Sequence, residues 1–212
     1  MSNLFPYYPV FLDLVGRAAV LLGGDATMAL LARNLLDVGA GVSAFDPAPS
    51  DAMRSLAGSV RLKTRRWRTA DLKGANLVIA SAREPRPHRA RLAAKGVQAV
   101  FHMVDQPDWS DVALGSVAAH GALTIGVAAG GAPAGLTEAL RGRLEAALPN
   151  GISEFLTAVG RARQDIERAL TAPAARDAFW AMLAEAAFTA PGGGAAHWDK
   201  FIAKKLREAA AR

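Results

Sequence analysis

Arg17-Ala18-Ala19-Val20-Leu21-Leu22-Gly23-Gly24 decides how this chain is read. A short apolar run closed by paired glycines has the pattern of a buried parallel strand. Residues 28–36 follow as an apolar-rich helix carrying Met28, Leu31 and Leu35, which stops at Gly39 as a C-terminal glycine allows. Residues 42–45 make a second strand, closed by Asp46-Pro47. Working outward, the pattern predicts a helix over 51–57, strands over 60–63 and 77–80, a helix over 88–95 and a strand over 97–104. Such alternation with short links predicts an α/β fold, a Rossmann-like parallel sheet covered by helices.

After Asp105 the character changes. Residues 123–127 read as one more strand, reached through a link around 109–121 that leaves His120 in a loop. Gly130-Gly131-Ala132-Pro133 leads into a charged helix over 136–145, and Pro149-Asn150-Gly151 marks a boundary. The remainder reads as helices over 155–170, 174–187 and 198–210. Trp198, Phe201, Ile202 and Leu206 fall at helix-face spacing and predict an apolar stripe that docks rather than binds a membrane. The expected organisation is a Rossmann-like dinucleotide-binding domain at 1–114, a dimerisation segment at 115–148 and a helical domain at 149–212.

Composition narrows the function. Of 212 residues, 51% are hydrophobic but only 7% aromatic, so a real core must be built mainly from Ala, Val and Leu. No apolar run approaches the roughly 18–20 residues of a membrane span. The N-terminus has no basic segment and carries Asp13, so no secretory signal is expected. With no cysteine, thiolate metal sites, iron–sulfur clusters and cysteine nucleophiles are excluded, no metal ligand is assigned, and a reducing cytoplasm is expected. Charge is uneven: residues 54–95 hold twelve Lys/Arg against Asp71 and Glu84. That stretch reads as a solvated face, a nucleic-acid contact or a trap for a polyanionic small molecule. No nucleic-acid-binding motif accompanies it, so no nucleic-acid partner is expected.

A strand, a glycine turn, a helix and an acid about 20 residues on form the dinucleotide-binding arrangement. Gly23-Gly24 opens the helix here, and Asp46 ends the second strand, where it could take the hydroxyls of an adenosine ribose and favour NAD, or could simply form a turn with Pro47. The motif is imperfect. Asp25 stands where a second glycine is expected, and a carboxylate there takes backbone room and repels a pyrophosphate. The candidate cofactor-binding residues are Gly23, Gly24, Asp25, Ala26, Asp46, Ala80, Ser81 and Val104.

Several stretches together resemble the precorrin-2 dehydrogenases and sirohydrochlorin ferrochelatases of siroheme synthesis. They are Tyr8-Pro9-Val10-Phe11-Leu12-Asp13-Leu14, the spacing from Gly23 to Gly39-Ala40, Asp71 through Ala80, Met103-Val104-Asp105-Gln106-Pro107, and Gly130-Gly131 with Leu136 and Arg141. The helical tail, with Phe155-Leu156, Arg161 and Phe179-Trp180, is similar in layout. The resemblance covers almost the whole chain. It implies NAD-dependent oxidation of precorrin-2 to sirohydrochlorin, with metal insertion as a second activity, in a cytoplasmic homodimer with NAD as cofactor. It places Asp105 at the catalytic aspartate, the base that takes a proton while a hydride leaves. It gives Arg83, His120, Gly130, Gly131 and Arg141 to the substrate, whose carboxylates would also explain the basic stretch.

The departures fall on cofactor-facing loops. Besides Asp25, the resembled family's Thr-Asp-Asp-Pro loop is Ala82-Arg83-Glu84-Pro85, its later Asn is His88, and a Ser before the paired glycines is Ala129. The alternative reading is therefore a paralogue that binds tetrapyrroles, or inserts a metal, and has lost NAD use.

Overall fold

The computed structural model describes residues 8–130, 132–190 and 192–211. Backbone contacts divide the chain into two units, one ending at Leu114 and the other beginning at Gly115.

The first unit is built on five strands, β1 (Ala18–Leu22), β2 (Gly41–Phe45), β3 (Arg61–Lys63), β4 (Ala75–Ala80) and β5 (Val100–Met103). They pair in parallel in the order β3-β2-β1-β4-β5. Helices α1 (Ala26–Asp37), α2 (Asp51–Arg54) and α3 (Pro87–Gly96) lie in the connections. Because successive strand residues point to opposite faces, β1 feeds two cores. Val20 and Leu22 pack with Phe101, Ala94 and Trp67, and Ala19 and Leu21 with Met28, Ala32, Met53 and Ile79. Leu21 and Leu22 are completely buried, and truncating either to Ala would cost about 2–5 kcal/mol.

Register fixes where a site can form. Leu22 lies opposite Phe45 on one side and Ala80 on the other, and Ala80 lies opposite Met103. The strand ends therefore form one row. The chain order reverses between β1 and β4, and in such sheets the crevice outside the carboxyl ends at the reversal is where ligands bind.

α1 ends as its sequence predicts. Gly39, at φ +80°, donates to Leu36 O (2.9 Å), and Ala40 donates to Leu35 O (3.0 Å), closing the last turn through a left-handed glycine.

The second unit comprises β6 (Ser116–His120), β7 (Leu123–Val127), α4 (Ala134–Ala146), α5 (Ile152–Ala169), α6 (Pro173–Thr189) and α7 (Ala195–Ala210). β6 and β7 form an antiparallel hairpin that turns at Gly121, φ +60°. This corrects the expectation of a loop at His120, which ends β6 opposite Leu123. Val117-Ala118-Ala119 has weak strand propensity and buries only Ala118, so pairing with β7 rather than local preference makes the strand. α5, α6 and α7 share a core of Phe155, Ile166, Phe179, Leu183, Trp198 and Ile202. The Trp198 stripe docks in it: Trp198 and Ile202 are 1% exposed, and Trp198 meets the Phe155 ring edge-on at 4.9 Å.

Candidate functional site

A cavity of about 490 Å³ opens at the β1/β4 reversal, between the glycine turn, the end of β2 and the loop after β4. Its first wall is made by the turn. Gly23 has φ +132°, and a Cβ there would come within 2.6 Å of the Ser81 Cβ. The missing side chain thus lets the β1 and β4 ends close together. Gly24 N–H donates to Asp46 Oδ2 at 2.7 Å and Ala48 N–H to Asp46 Oδ1 at 2.8 Å. Asp46 is therefore both the acid at the end of β2 and the brace of its own turn.

Asp25 is the N-cap of α1. Its Oδ1 accepts from Met28 N–H at 3.0 Å, and its Oδ2 accepts from the Ser81 hydroxyl at 2.5 Å. The first satisfies one of the orphan amides of the helix N-terminus. The second joins the turn to β4. Ser81, only 3% exposed, also accepts from Arg83 N–H at 3.2 Å.

The lining also carries Arg66, Trp67, Arg83, Glu84 and Arg86. Trp67 is buried, and its indole N–H donates to Glu84 Oε2 at 3.0 Å, while Glu84 Oε1 accepts from Arg86 N–H at 3.0 Å. The Arg86 and Arg89 guanidinium groups stand 5.9 and 5.5 Å from the Trp67 ring centroid, within cation–π range. The basic stretch is thus divided by use. Arg65 grips Asp71 with two bonds of 2.7 and 2.8 Å and so holds its carboxyl below the usual range, while Arg91 pairs with Asp111.

Of the residues expected from sequence, Gly23, Asp25, Asp46, Ser81 and Arg83 line this cavity together. Gly24 and Ala26 belong to the turn and the first position of α1, and Ala80 ends β4 and accepts from Val104 N–H at 2.9 Å. Trp67 and Arg86 were not singled out from sequence. The signal for Trp67 is Arg65-Arg66-Trp67-Arg68, an aromatic inside the basic run, and Arg86 carries none beyond its place among the basic residues of 54–95.

Asp105 lies two residues past β5, exposed, with φ +58°. Aspartate tolerates that left-handed conformation better than most residues, so the turn and a chemical role ask for the same side chain. His102 is mostly buried, and its Nδ1–H donates to Val112 O at 2.9 Å; burial pushes its pKa down. It is a packed histidine.

His120 and Arg141 lie in the second unit, in one charged network. His120 Nε2 meets Glu145 Oε1 at 2.8 Å, and Arg141 pairs with both Glu145 and Glu138, which also accepts from Ser116. Arg141, then Ser116, holds the Glu138 carboxyl down to about 2. The charge of Arg141 is met inside the network. Gly130 has φ +57°, and Gly131 lies outside the described residues.

A parallel sheet with a glycine turn, a β2 acid and a crevice at the strand reversal defines a dinucleotide-binding Rossmann-type domain. The chain belongs to the family described as "Putative NAD(P)-binding", whose model matches residues 10–116. It is 30% identical over 186 residues, 87% of the chain, to a siroheme synthase of Tolumonas auensis, and 28% identical over 82% of the chain to one of Methylococcus capsulatus. It spans 39% and 37% of those two proteins. Its fold is similar to that of SirC, a precorrin-2 dehydrogenase, with a TM-score of 0.65 at 16% identity, covering 95% of this chain and 100% of that one.

The cavity fits an anionic dinucleotide. Its lining sets Asp46, the acid at the end of β2, together with Arg66, Arg83 and Arg86. Among the described residues, Arg86 Nε is buried with no hydrogen-bond partner, a donor that a ligand acceptor would satisfy. Among the described residues, no helix is long and apolar enough to cross a membrane.

Proposed function

We propose that this chain catalyses the NAD-dependent oxidation of precorrin-2 to sirohydrochlorin in siroheme synthesis, acting in the cytoplasm as a homodimer. The observation that carries this reading is the cavity at the β1/β4 reversal, whose lining holds both Asp46 and Arg86, a residue whose buried Nε has no hydrogen-bond partner among the described residues. The names of the siroheme synthases and of SirC supply the substrate class.

When bound at this cavity, NAD would supply the hydride acceptor. The chain's own residues do the rest. Asp46 and the Gly23-Gly24 turn would seat the adenosine ribose, and Ser81 holds the turn closed. Asp105, two residues past the end of β5, would take the proton that leaves the tetrapyrrole as the hydride departs, so that precorrin-2 and NAD⁺ give sirohydrochlorin, NADH and a proton. The basic residues outside ion pairs, Arg83 among them, would steer a polycarboxylate.

The test is anaerobic turnover of precorrin-2 with NAD⁺, followed by NADH formation, in the native chain and in Asp105→Asn. Asparagine keeps the left-handed turn and loses the base. We expect turnover to fall by roughly 10²–10⁴-fold, the scale of a lost general base. Unchanged turnover removes Asp105 from the mechanism.

One observation favours a second reading. Asp25 puts a carboxylate at the α1 N-terminus, where a pyrophosphate would otherwise sit. A paralogue that binds tetrapyrroles or inserts their metal without NAD would tolerate this. A native chain that binds sirohydrochlorin but neither NAD nor NADP would decide for it.

The dimer reading rests on α4 and β6. Leu136, Leu140 and Leu144 recur every fourth residue on one face of α4 and are 52%, 42% and 50% exposed, and Val117 on β6 is 51% exposed. A row of exposed leucines is what a two-fold interface would cover.

A further inference from the structure

The anion cradle of the glycine turn is already in use. Asp25 caps α1 with one oxygen and takes the Ser81 hydroxyl with the other. Its charge therefore offsets the partial positive charge, about half a unit, that the helix N-terminus would offer a phosphate. The neighbouring carboxylate, Asp46, also engages both oxygens with backbone amides. This wall offers a pyrophosphate two negative charges.

The same cavity also carries cations. Arg66, Arg83 and Arg86 are in its lining, and none of them forms an ion pair with a carboxylate among the described residues. Arg86 is held in place without being neutralised. Its guanidinium lies over the Trp67 ring, 5.9 Å from the centroid, and Glu84 gives its oxygens to the Trp67 indole N–H and the Arg86 backbone amide. A buried guanidinium nitrogen with no acceptor is costly until an acceptor arrives, and planar guanidinium groups match phosphate oxygens with paired bonds.

We propose that the loop after β4, through Arg86 with Arg83, binds the pyrophosphate of the dinucleotide in place of the glycine turn. The inference rests on the NAD reading above. In this reading Asp46 meets the ribose, and Arg83 and Arg86 meet the phosphates. The carboxylate of Asp46 also weighs against a 2′-phosphate, so the assignment is to the pyrophosphate that NAD and NADP share.

Titration calorimetry of the full chain with NAD⁺ and with NADP⁺, at low and high salt, tests it. Arg86→Met keeps the stem on Trp67 and removes the charge. We expect it to weaken NAD⁺ by about tenfold or more, as loss of one charged bond does. NADP⁺ should weaken in parallel, and the salt dependence of binding should flatten. Arg86→Lys should recover part of the affinity, and the exposed Arg83→Gln should lose several-fold. A folded Arg86→Met that binds NAD⁺ like the native chain overturns the proposal and leaves the NAD reading standing. A loss confined to NADP⁺ overturns the pyrophosphate assignment. Should Arg86→Met not fold, Arg83→Gln and the native salt dependence decide, and NAD⁺ affinity indifferent to both overturns the proposal. A native chain that binds neither dinucleotide overturns the NAD reading itself, and this inference with it.

Discussion

The Ser81 hydroxyl donates to the Asp25 carboxylate across 2.5 Å, joining residues 56 positions apart at the β1/β4 reversal. The carboxylate that interrupts the glycine motif is therefore a built part of the crevice. It caps α1, ties β4 to the turn and sets the sign of one cavity wall.

Replacing Asp25 with Asn separates those jobs. Asparagine caps a helix about as well as aspartate, and its amide can face the Ser81 oxygen, so the fold should hold while the charge is gone. We expect Asp25→Asn to bind NAD⁺ about fivefold tighter, ~1 kcal/mol, by titration calorimetry. Equal or weaker binding in a folded variant would show that Asp25 does not repel the cofactor.

Gly23→Ala tests the closeness of β1 and β4. A Cβ at Gly23 would lie 2.6 Å from the Ser81 Cβ, on a backbone at φ +132°. Overpacking of this kind costs about 1–3 kcal/mol, and the backbone conformation, which alanine rarely adopts, adds about 1–3 kcal/mol. Urea unfolding should show a loss of at least ~2 kcal/mol. A variant as stable as the native chain would mean that the turn relaxes freely.

The stability of the first unit should depend on pH through His102. Burial holds its folded-state pKa below the ordinary histidine value, so between the two values the unfolded chain binds the extra proton. Stability should therefore be full above the unfolded pKa, near 6.5, and fall as pH drops through it toward the folded value. Urea midpoints at pH 7.5 and 5.5 should differ more for the native chain than for His102→Gln. Equal differences would exclude His102 as the source.

Assembly is read from α4. Light scattering at micromolar concentration should give twice the chain mass, and Leu140→Asp combined with Leu144→Asp should give one. A native monomer would contradict the dimer reading, and a dimer in the double variant would move the interface elsewhere.

The sequence by itself determined the parallel α/β alternation, the two-faced burial of β1, the helix stop at Gly39 and the Asp46 position at the end of β2. These follow from period, local propensity and a turn at a fixed spacing, all of which short windows of sequence contain. Only the tertiary structure decided that Asp25 would meet Ser81, that Trp67 would carry Arg86 with its Nε unpartnered, and that Ala-rich β6 would be a strand. Those outcomes depend on which distant side chains and backbone amides the packed sheet brings within bonding range. A charged residue's spacing does not say whether its charge will be met inside the fold, as for Arg65 and Arg141, or left without an ion pair among the described residues, as for Arg86.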